Sequence, residues 1–244
     1  MKQKIHIRGC LAGAVFFAVA AVAQAGSAGS FAPCSQGSFA AYSAVGFRCT
    51  VGAVDIFNFE LYTLDPSNNA TAASTGLLNA ILVTPSWSST LGRASILVGG
   101  ETGGFTGMTV ASNETAAWLI RFTVDPPPIL GGEDMSLDPP FGNILATQTY
   151  CMDGIFSAVG VCSSGSTGAA TFGIGTPASV TFPTPLMTLD TLTTIRLNPN
   201  FDTPSGFDGV LFTIQTVQPA PEPGAWLLAG TGLLLVCRLR RGRG

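Results

Sequence analysis

The side chains of this chain that could do chemistry belong to few types. Its 244 residues include six cysteines and fourteen acidic residues but a single histidine. Because His6 lies in an N-terminal segment that we expect to be removed, a Ser/His/Asp or Cys/His nucleophile system is excluded from the mature chain. A pair of carboxylates for glycoside hydrolysis stays open, since such pairs form in space and acidic residues are numerous. No motif nominates a pair, so we expect a protein that is not an enzyme.

Four cysteines in the central part of the chain are candidates for covalent cross-links. In order, they are Cys34, Cys49, Cys151 and Cys162. An even number of cysteines in an exported protein indicates disulfides, and of the three pairings available we favour the local one, first with second and third with fourth. Each disulfide would contribute about 3 kcal/mol in the loop-entropy description. A zinc site is the alternative, but it requires closely spaced cysteines or histidines, which this part lacks.

A second set of candidate ligands is acidic. Glu133, Asp134 and Asp138 lie in the stretch I-L-G-G-E-D-M-S-L-D-P-P-F-G. Their carboxylates could bind Ca²⁺, although the spacing is not that of an EF-hand loop. We therefore expect a solvated acidic loop here, with a calcium site as the weaker alternative. No cofactor is indicated.

The charge of the central part limits its partners. Between residues 26 and 220 the chain carries four arginines, no lysine and thirteen acidic residues, which gives a net charge of −9, whereas the whole chain has a formal net charge of −3. An acidic surface repels phosphates. Nucleic acids and anionic membrane surfaces are therefore not expected as partners of this part.

Hydrophobic periodicity predicts an all-β central part, an antiparallel β-sandwich of jelly-roll-like type. Apolar and polar residues alternate over 55–62, 117–124 and 210–217, with many aromatic and β-branched side chains. Turns rich in glycine and proline separate these runs from shorter ones. The shorter candidate strands are 80–84, 94–99, 107–111, 144–150, 169–174, 179–182 and 193–197.

The N-terminal residues 1–25 have the three-part pattern of a secretory signal peptide. Basic residues precede a short apolar run, and Ala23 and Ala25 form a small-x-small cleavage site. The alternative is an uncleaved membrane anchor, for which the apolar run is short. We therefore expect export through the Sec machinery.

The C-terminal residues carry a second membrane signal. Pro221, Glu222 and Pro223 are followed by an apolar run over 224–237, which would be about 21 Å long as a helix. Basic residues then crowd the end of the chain, as expected of a cytoplasmic end. They are Arg238, Arg240, Arg241 and Arg243. We expect a short transmembrane helix here rather than a buried core helix.

This tripeptide, apolar run and arginine cluster together resemble the PEP-CTERM protein-sorting signal of Gram-negative bacteria, over residues 219–244. The resemblance implies that Pro221, Glu222 and Pro223 are recognised by an exosortase, an integral membrane transpeptidase-like cysteine protease, and that the four arginines are the retention signal. It also implies an inner-membrane intermediate, followed by delivery to the cell surface or to an exopolysaccharide matrix. The stretch G-F-R-C-T-V-G at 46–52 resembles a group of uncharacterised PEP-CTERM proteins, which supports a β-rich body and a disulfide between the first two central cysteines.

The expected organisation is a signal peptide at 1–25, an exported β-sandwich domain at 26–218 and a sorting signal at 219–244. We expect an exported bacterial surface or matrix protein with a structural or interaction role linked to exopolysaccharide. The alternative is a carbohydrate-binding or polysaccharide-processing module, in which Trp87, Trp118 or Tyr62 stacks on sugar rings.

Overall fold

Alternating apolar and polar side chains give this chain two antiparallel β-sheets that pack face to face. The computed structural model describes residues 31–99, 109–125, 130–157, 160–174, 176–184 and 186–216, and the fold is given for these residues. Within them the chain forms fourteen strands and two short helices. The predicted all-β, antiparallel sandwich is therefore confirmed.

The elements follow one another in a simple order. The strands are β1 (Gly37–Ser38), β2 (Arg48–Val51), β3 (Val54–Leu64), β4 (Ala70–Ala72), β5 (Leu82–Ser88), β6 (Arg93–Gly99), β7 (Thr109–Val110), β8 (Ala116–Asp125), β9 (Leu130–Phe141), β10 (Ile144–Met152), β11 (Ser166–Gly173), β12 (Ala178–Thr181), β13 (Leu189–Leu197) and β14 (Ser205–Thr216). The helices are α1 (Phe39–Tyr42) and α2 (Thr75–Ala80). Each helix begins at a serine N-cap, Ser38 or Ser74, whose hydroxyl accepts a hydrogen bond from a backbone N–H of the first turn.

The strands form two seven-stranded sheets. Sheet A has the order β11-β10-β13-β8-β3-β2, and β4 also pairs with β3. Sheet B has the order β1-β5-β6-β14-β9-β12, and β7 also pairs with β14. One edge of sheet A is therefore the eight-residue strand β11, whereas the other edge consists of the short strands β2 and β4.

The two sheets enclose a core rich in aromatic rings. Trp118, Ile120 and Phe122 of β8 all point between the sheets, because successive side chains of a strand alternate between its two faces. The ring of Phe122 stacks on Phe59 of sheet A with centroids 5.6 Å apart and meets Phe212 of sheet B edge to face at 4.9 Å. Such contacts hold one sheet against the other.

The sequence predicts most of these strands. Where they are described, the runs 55–62, 117–124 and 210–217 fall within β3, β8 and β14, and the shorter candidates overlap β5, β6, β7, β10, β11, β12 and β13. The short candidate that begins at residue 80 starts too early, because α2 occupies that position and β5 begins at Leu82.

Strand β9 is the main difference from the sequence-based expectation. The sequence predicts a solvated loop for the acidic stretch, but this stretch forms a strand of twelve residues. β9 pairs with β14 on one side and with β12 on the other. Its backbone N–H and C=O groups are therefore hydrogen-bonded within the sheet, whereas those of a loop would have to bond to water. The expectation of a loop is wrong, because pairing with two neighbours outweighs the local signal of the glycines and prolines.

The two sorting segments lie outside the described residues. They contain the expected cleavage site, the Pro-Glu-Pro motif and the arginine cluster: Ala23, Ala25, Pro221, Glu222, Pro223, Arg238, Arg240, Arg241 and Arg243. Among the residues that the structure does describe, no helix has the length and apolar character needed to cross a membrane.

Candidate functional site

Two disulfides attach neighbouring chain segments to strands near the two edges of sheet A. Cys34 is bonded to Cys49 of β2, with Cα atoms 5.0 Å apart, and Cys151 of β10 is bonded to Cys162, with Cα atoms 5.4 Å apart. This is the local pairing that the sequence favours. Disulfides persist in oxidising environments outside the cytoplasm, so the two bonds indicate an extracellular or otherwise oxidising location.

The Cys151–Cys162 disulfide closes a loop that lies on the outer face of sheet A, the face directed away from sheet B. We call the residues between these cysteines the disulfide loop. Within it, the buried Phe156 is held through its backbone: its N–H donates to Asp190 Oδ2 at 2.7 Å, and its carbonyl accepts from Arg121 Nη2 at 2.6 Å. The loop is therefore attached by a covalent bond at its ends and by charged groups in its middle.

Arg121 of β8 and Asp190 of β13 form a buried ion pair beneath this loop. Arg121 Nη2 lies 2.7 Å from Asp190 Oδ2, and Arg121 Nη1 lies 3.1 Å from Glu60 Oε2. Thr123 Oγ1 donates to Asp190 Oδ1 at 3.1 Å. Burial lowers the pKa of Arg121, but the hydrogen bonds and charges of Asp190 and Glu60 raise it by more. The guanidinium therefore stays charged and holds two carboxylates and a backbone carbonyl in place.

A second arginine fixes the edge strand β2. Arg48 Nη2 lies 2.6 Å from Asp125 Oδ2, and its guanidinium lies over the rings of Phe31 and Phe57, 4.5 and 4.3 Å from their centroids. Because a cation over an aromatic face is attracted by the ring, this stack anchors the chain segment that precedes Cys34.

Beside the disulfide loop, one row of side chains crosses sheet A on its outer face. The strand registers place these residues opposite one another from β11 to β4. We call them the outer row: Thr171, Thr147, Thr194, Leu119, Tyr62 and Ala72. All six are partly or fully exposed. With neighbouring strands about 4.8 Å apart, the row is roughly 24 Å long.

Tyr62 is the aromatic member of the outer row. Its hydroxyl donates to Glu60 Oε2 at 3.0 Å, and the same oxygen also accepts from Arg121. Burial and the neighbouring Glu60 carboxylate raise the pKa of Tyr62, so the hydroxyl stays protonated at neutral pH. The ring is thus half-buried and held in a fixed position at the surface.

The other two aromatic candidates do not belong to this face. Trp118 is only 5% exposed and packs in the core against Phe207. Trp87 is 37% exposed, but it lies on β5 of sheet B, where its ring covers the backbone of Gly52. The structure therefore brings one of the three, Tyr62, to the outer face of sheet A.

A cleft of about 350 Å³ adjoins the Thr171 end of the outer row. It lies where β10 begins and β11 ends, and the exposed side chains of Leu145 and Ile174 contribute to it. Its lining consists of Gly142, Asn143, Ile144, Leu145, Thr171, Phe172, Gly173, Ile174 and Thr176. The outer row and this cleft form one continuous surface of hydroxyl, amide and apolar groups.

Glu133 and Asp134 of β9 do not form a shared ligand set. Glu133 and Asp134 are consecutive in the strand, so their side chains point to opposite faces of sheet B. Glu133 is fully buried, whereas Asp134 accepts a hydrogen bond from Gln215 Nε2 at 2.7 Å on the other face. Asp138 lies farther along the same strand. Within the described ranges, no three His, Cys, Asp or Glu side chains converge as metal ligands.

Glu133 instead belongs to a polar cluster inside the core. Its Oε1 accepts from Gln148 Nε2 at 3.2 Å, and Tyr150 lies beside Gln148 on the same strand of sheet A. Glu133 Oε2 is buried without a hydrogen-bond partner. Burial raises the pKa of Glu133 to about 8, and burial also raises the pKa of Tyr150. The glutamate is therefore predominantly protonated at neutral pH. The sequence pattern does not reveal this cluster, because it predicts no strand at the position of β9.

No protein-family model and no curated protein matches the chain. Among solved structures, a similar one is that of TmCBM61 in complex with beta-1,4-galactotriose. The sequence identity is 8%, the match covers 55% of this chain and 83% of the other, and the TM-score is 0.25. At these values the likeness transfers neither fold nor ligand to this chain.

Proposed function

We propose that this chain is an exported bacterial protein of the cell surface or extracellular matrix, and that it acts as a structural or interaction module through the outer row of sheet A. The observation that carries this proposal is the outer row itself, about 24 Å of exposed hydroxyl, apolar and aromatic groups on adjacent strands. A ligand or neighbouring polymer can lie across all of these strands without entering a pocket.

The surroundings of the outer row support a binding role. The Arg121–Asp190 ion pair, the disulfide loop and the Arg48 stack fix the same face of sheet A at neighbouring positions. A sheet held in this way loses little further conformational freedom on binding, so the entropy cost of binding is smaller. Hydroxyl groups both donate and accept hydrogen bonds, which suits a hydroxyl-rich partner such as an exopolysaccharide.

The contact role can be tested with one charged substitution. Thr194→Glu places a carboxylate at the centre of the outer row, whereas Leu91→Glu places the same charge on an exposed turn between β5 and β6. We expect the first variant to move from the matrix fraction to the culture medium and the second to stay with the wild type. Equal retention of both variants would show that the outer row is not the contact surface.

For localisation, we propose that the chain leaves the cytoplasm by the Sec route, passes through an inner-membrane intermediate and is processed by an exosortase. Support comes from the resemblance of residues 219–244 to a PEP-CTERM signal and from the two disulfides of the body. Mass spectrometry of the mature C-terminus, in cells with and without the exosortase, tests this route. Glu222→Ala should block processing, whereas Pro219→Ala, just outside the motif, should not. An identical C-terminus in both strains contradicts the proposal.

A second candidate function is polysaccharide binding at Tyr62. The favouring observation is that its ring is half-exposed and fixed by Glu60, with Leu119 opposite it in the register. We expect Tyr62→Ala to lose retention on the polysaccharide of the producing cell in affinity electrophoresis. Phe201→Ala removes an aromatic ring that is 57% exposed elsewhere and should keep that retention. If the wild type is not retained on that polysaccharide, this candidate function is rejected.

A further inference from the structure

The edge strand β11 carries backbone groups without a strand beside them. All eight residues of β11 pair with β10, and β11 is the end of sheet A in the described part of the chain. Each other terminal strand of the two sheets is shorter, with two to four residues in β1, β2, β4 and β12. An edge of eight residues offers a template for pairing with another strand.

The hairpin after β11 shows which backbone groups point outward. Gly173 donates to the Thr176 carbonyl at 3.1 Å and accepts from the Thr176 N–H at 3.2 Å. Both groups of Gly173 therefore point away from β10. Since the direction alternates along an antiparallel strand, the N–H and C=O groups of Thr167, Ala169 and Thr171 point away from β10 as well.

The charge distribution favours a second copy of this chain as the occupant of this edge. The chain from 26 to 220 has a net charge of −9, so two copies repel each other over most of their surface. Residues 154–189, which include β11, the hairpin and β12, carry no charged side chain at all. Natural sheets protect long edges with lysine, proline or short strands, and β11 has none of these.

We propose that two copies of this chain associate edge to edge through β11, antiparallel, about a two-fold axis at Ala169. In this register Ala169 lies opposite Ala169 of the other copy, and Thr167 lies opposite Thr171. Side chains on the outer face of one copy then meet outer-face side chains of the other, as a continuous sheet requires. Three residues of each copy supply outward N–H and C=O groups, which would form about six intermolecular hydrogen bonds. The dimer goes beyond the proposed function, because it needs no ligand on the outer row.

The register can be tested by exchanging charges at its centre. Ala169→Lys and Ala169→Glu each place like charges opposite one another, which should weaken the dimer about fivefold. An equimolar mixture of the two variants should form a mixed dimer at least as tight as the wild type. Val45→Lys and Val45→Glu make the same charge changes at a fully exposed position before β2 and should leave association unchanged.

A proline at the same position tests the hydrogen bonds. The N–H of Ala169 points away from β10, so Ala169→Pro removes no bond within sheet A, and proline is accepted on strand edges. Loss of the two central intermolecular bonds should weaken association about thirtyfold. A thermal unfolding curve close to that of the wild type shows that the variant is folded.

The measurement is the mass of the full chain in detergent, by size-exclusion chromatography with light scattering over a wide range of concentration. A wild-type dimer that both charged variants weaken and their mixture restores supports the proposal. A wild-type monomer at every concentration overturns it. A dimer that persists in Ala169→Pro and in both charged variants also overturns it, because association then occurs through another surface.

Discussion

Glu133 should make the stability of this protein depend on pH. Its side chain is fully buried between the sheets, and its hydrogen-bond partner is the neutral amide of Gln148. Burial raises the pKa of Glu133 from 4.5 to about 8. A carboxyl that holds its proton more tightly in the folded state stabilises that state below pH 4.5, and the contribution is lost as the pH rises towards 8.

The size of the effect follows from the pKa difference. About 3.5 pH units at 1.36 kcal/mol each give a loss of about 5 kcal/mol in the free energy of unfolding between pH 4.5 and pH 8. Glu133→Gln keeps the shape and the acceptor for Gln148 but cannot ionise. The variant should therefore be close to the wild type at pH 4.5 and more stable by up to about 5 kcal/mol at pH 8.5.

Urea unfolding of the wild type and the variant, followed by circular dichroism from pH 4.5 to pH 9 with the disulfides intact, measures this difference. Asp134→Asn is the matched control, since it removes the next carboxylate along β9, whose side chain lies on the opposite face and bonds Gln215. The control should keep most of the pH dependence of the wild type, because the Asp134 carboxylate raises the pKa of Glu133 by less than burial does. If the free energy of unfolding of Glu133→Gln changes with pH as steeply as that of the wild type, the carboxyl is ionised in the folded protein and the reasoning fails.

Three further predictions concern the Arg121–Asp190 ion pair, the Cys151–Cys162 disulfide and the contact between Gly52 and Trp87. Arg121→Met leaves Asp190 buried without its cation and should lower the free energy of unfolding, measured with urea, by about 3–5 kcal/mol. The control Arg93→Met should lower it far less. Equal small losses in both variants would contradict a buried ion pair. Replacing Cys151 and Cys162 by serine should lower the free energy of unfolding by about 3 kcal/mol and speed hydrogen exchange of the Phe156 N–H. Replacing Cys34 and Cys49 by serine should leave that exchange unchanged. Gly52→Ala builds a Cβ 2.0 Å from Trp87 Cδ2 and should shift the tryptophan fluorescence, in contrast to Gly46→Ala, which has the same sign of φ but open space around it.

A strand could be predicted where its own sequence shows the alternation of buried and exposed residues. In β3, buried and less buried side chains alternate over most of the strand. In β8, the large apolar residues Trp118, Ile120 and Phe122 occupy every second position of the sequence. Both patterns can be read without knowing the neighbouring strands. In β9, the glycines and the two prolines indicate a turn, and only pairing with β14 and β12 makes the segment a strand. The paired residues are 65 to 86 positions apart for β14 and 43 to 49 positions apart for β12, so local patterns do not contain these pairings.

The candidate site could be predicted only in part, for the same reason. The sequence offers Tyr62 as an aromatic candidate, but its position depends on registers that align Thr147, Thr194 and Leu119 with it. A shift of one residue in any of these strands would turn its side chains to the core. The Arg121–Asp190 contact likewise joins residues 69 positions apart, and no spacing rule connects them.

Asp190 and Glu133 are both fully buried in the described part of the sandwich, but their surroundings differ. Asp190 accepts hydrogen bonds from Arg121, Thr123 and the backbone of Phe156, so its charge is balanced where it lies. Glu133 receives one hydrogen bond from a neutral amide, and its second oxygen has none. Burial raises the pKa of Glu133 and so favours its protonated form. A rise in pH therefore weakens the contact between β9 and β10 inside the sandwich, where Glu133 accepts its hydrogen bond from Gln148.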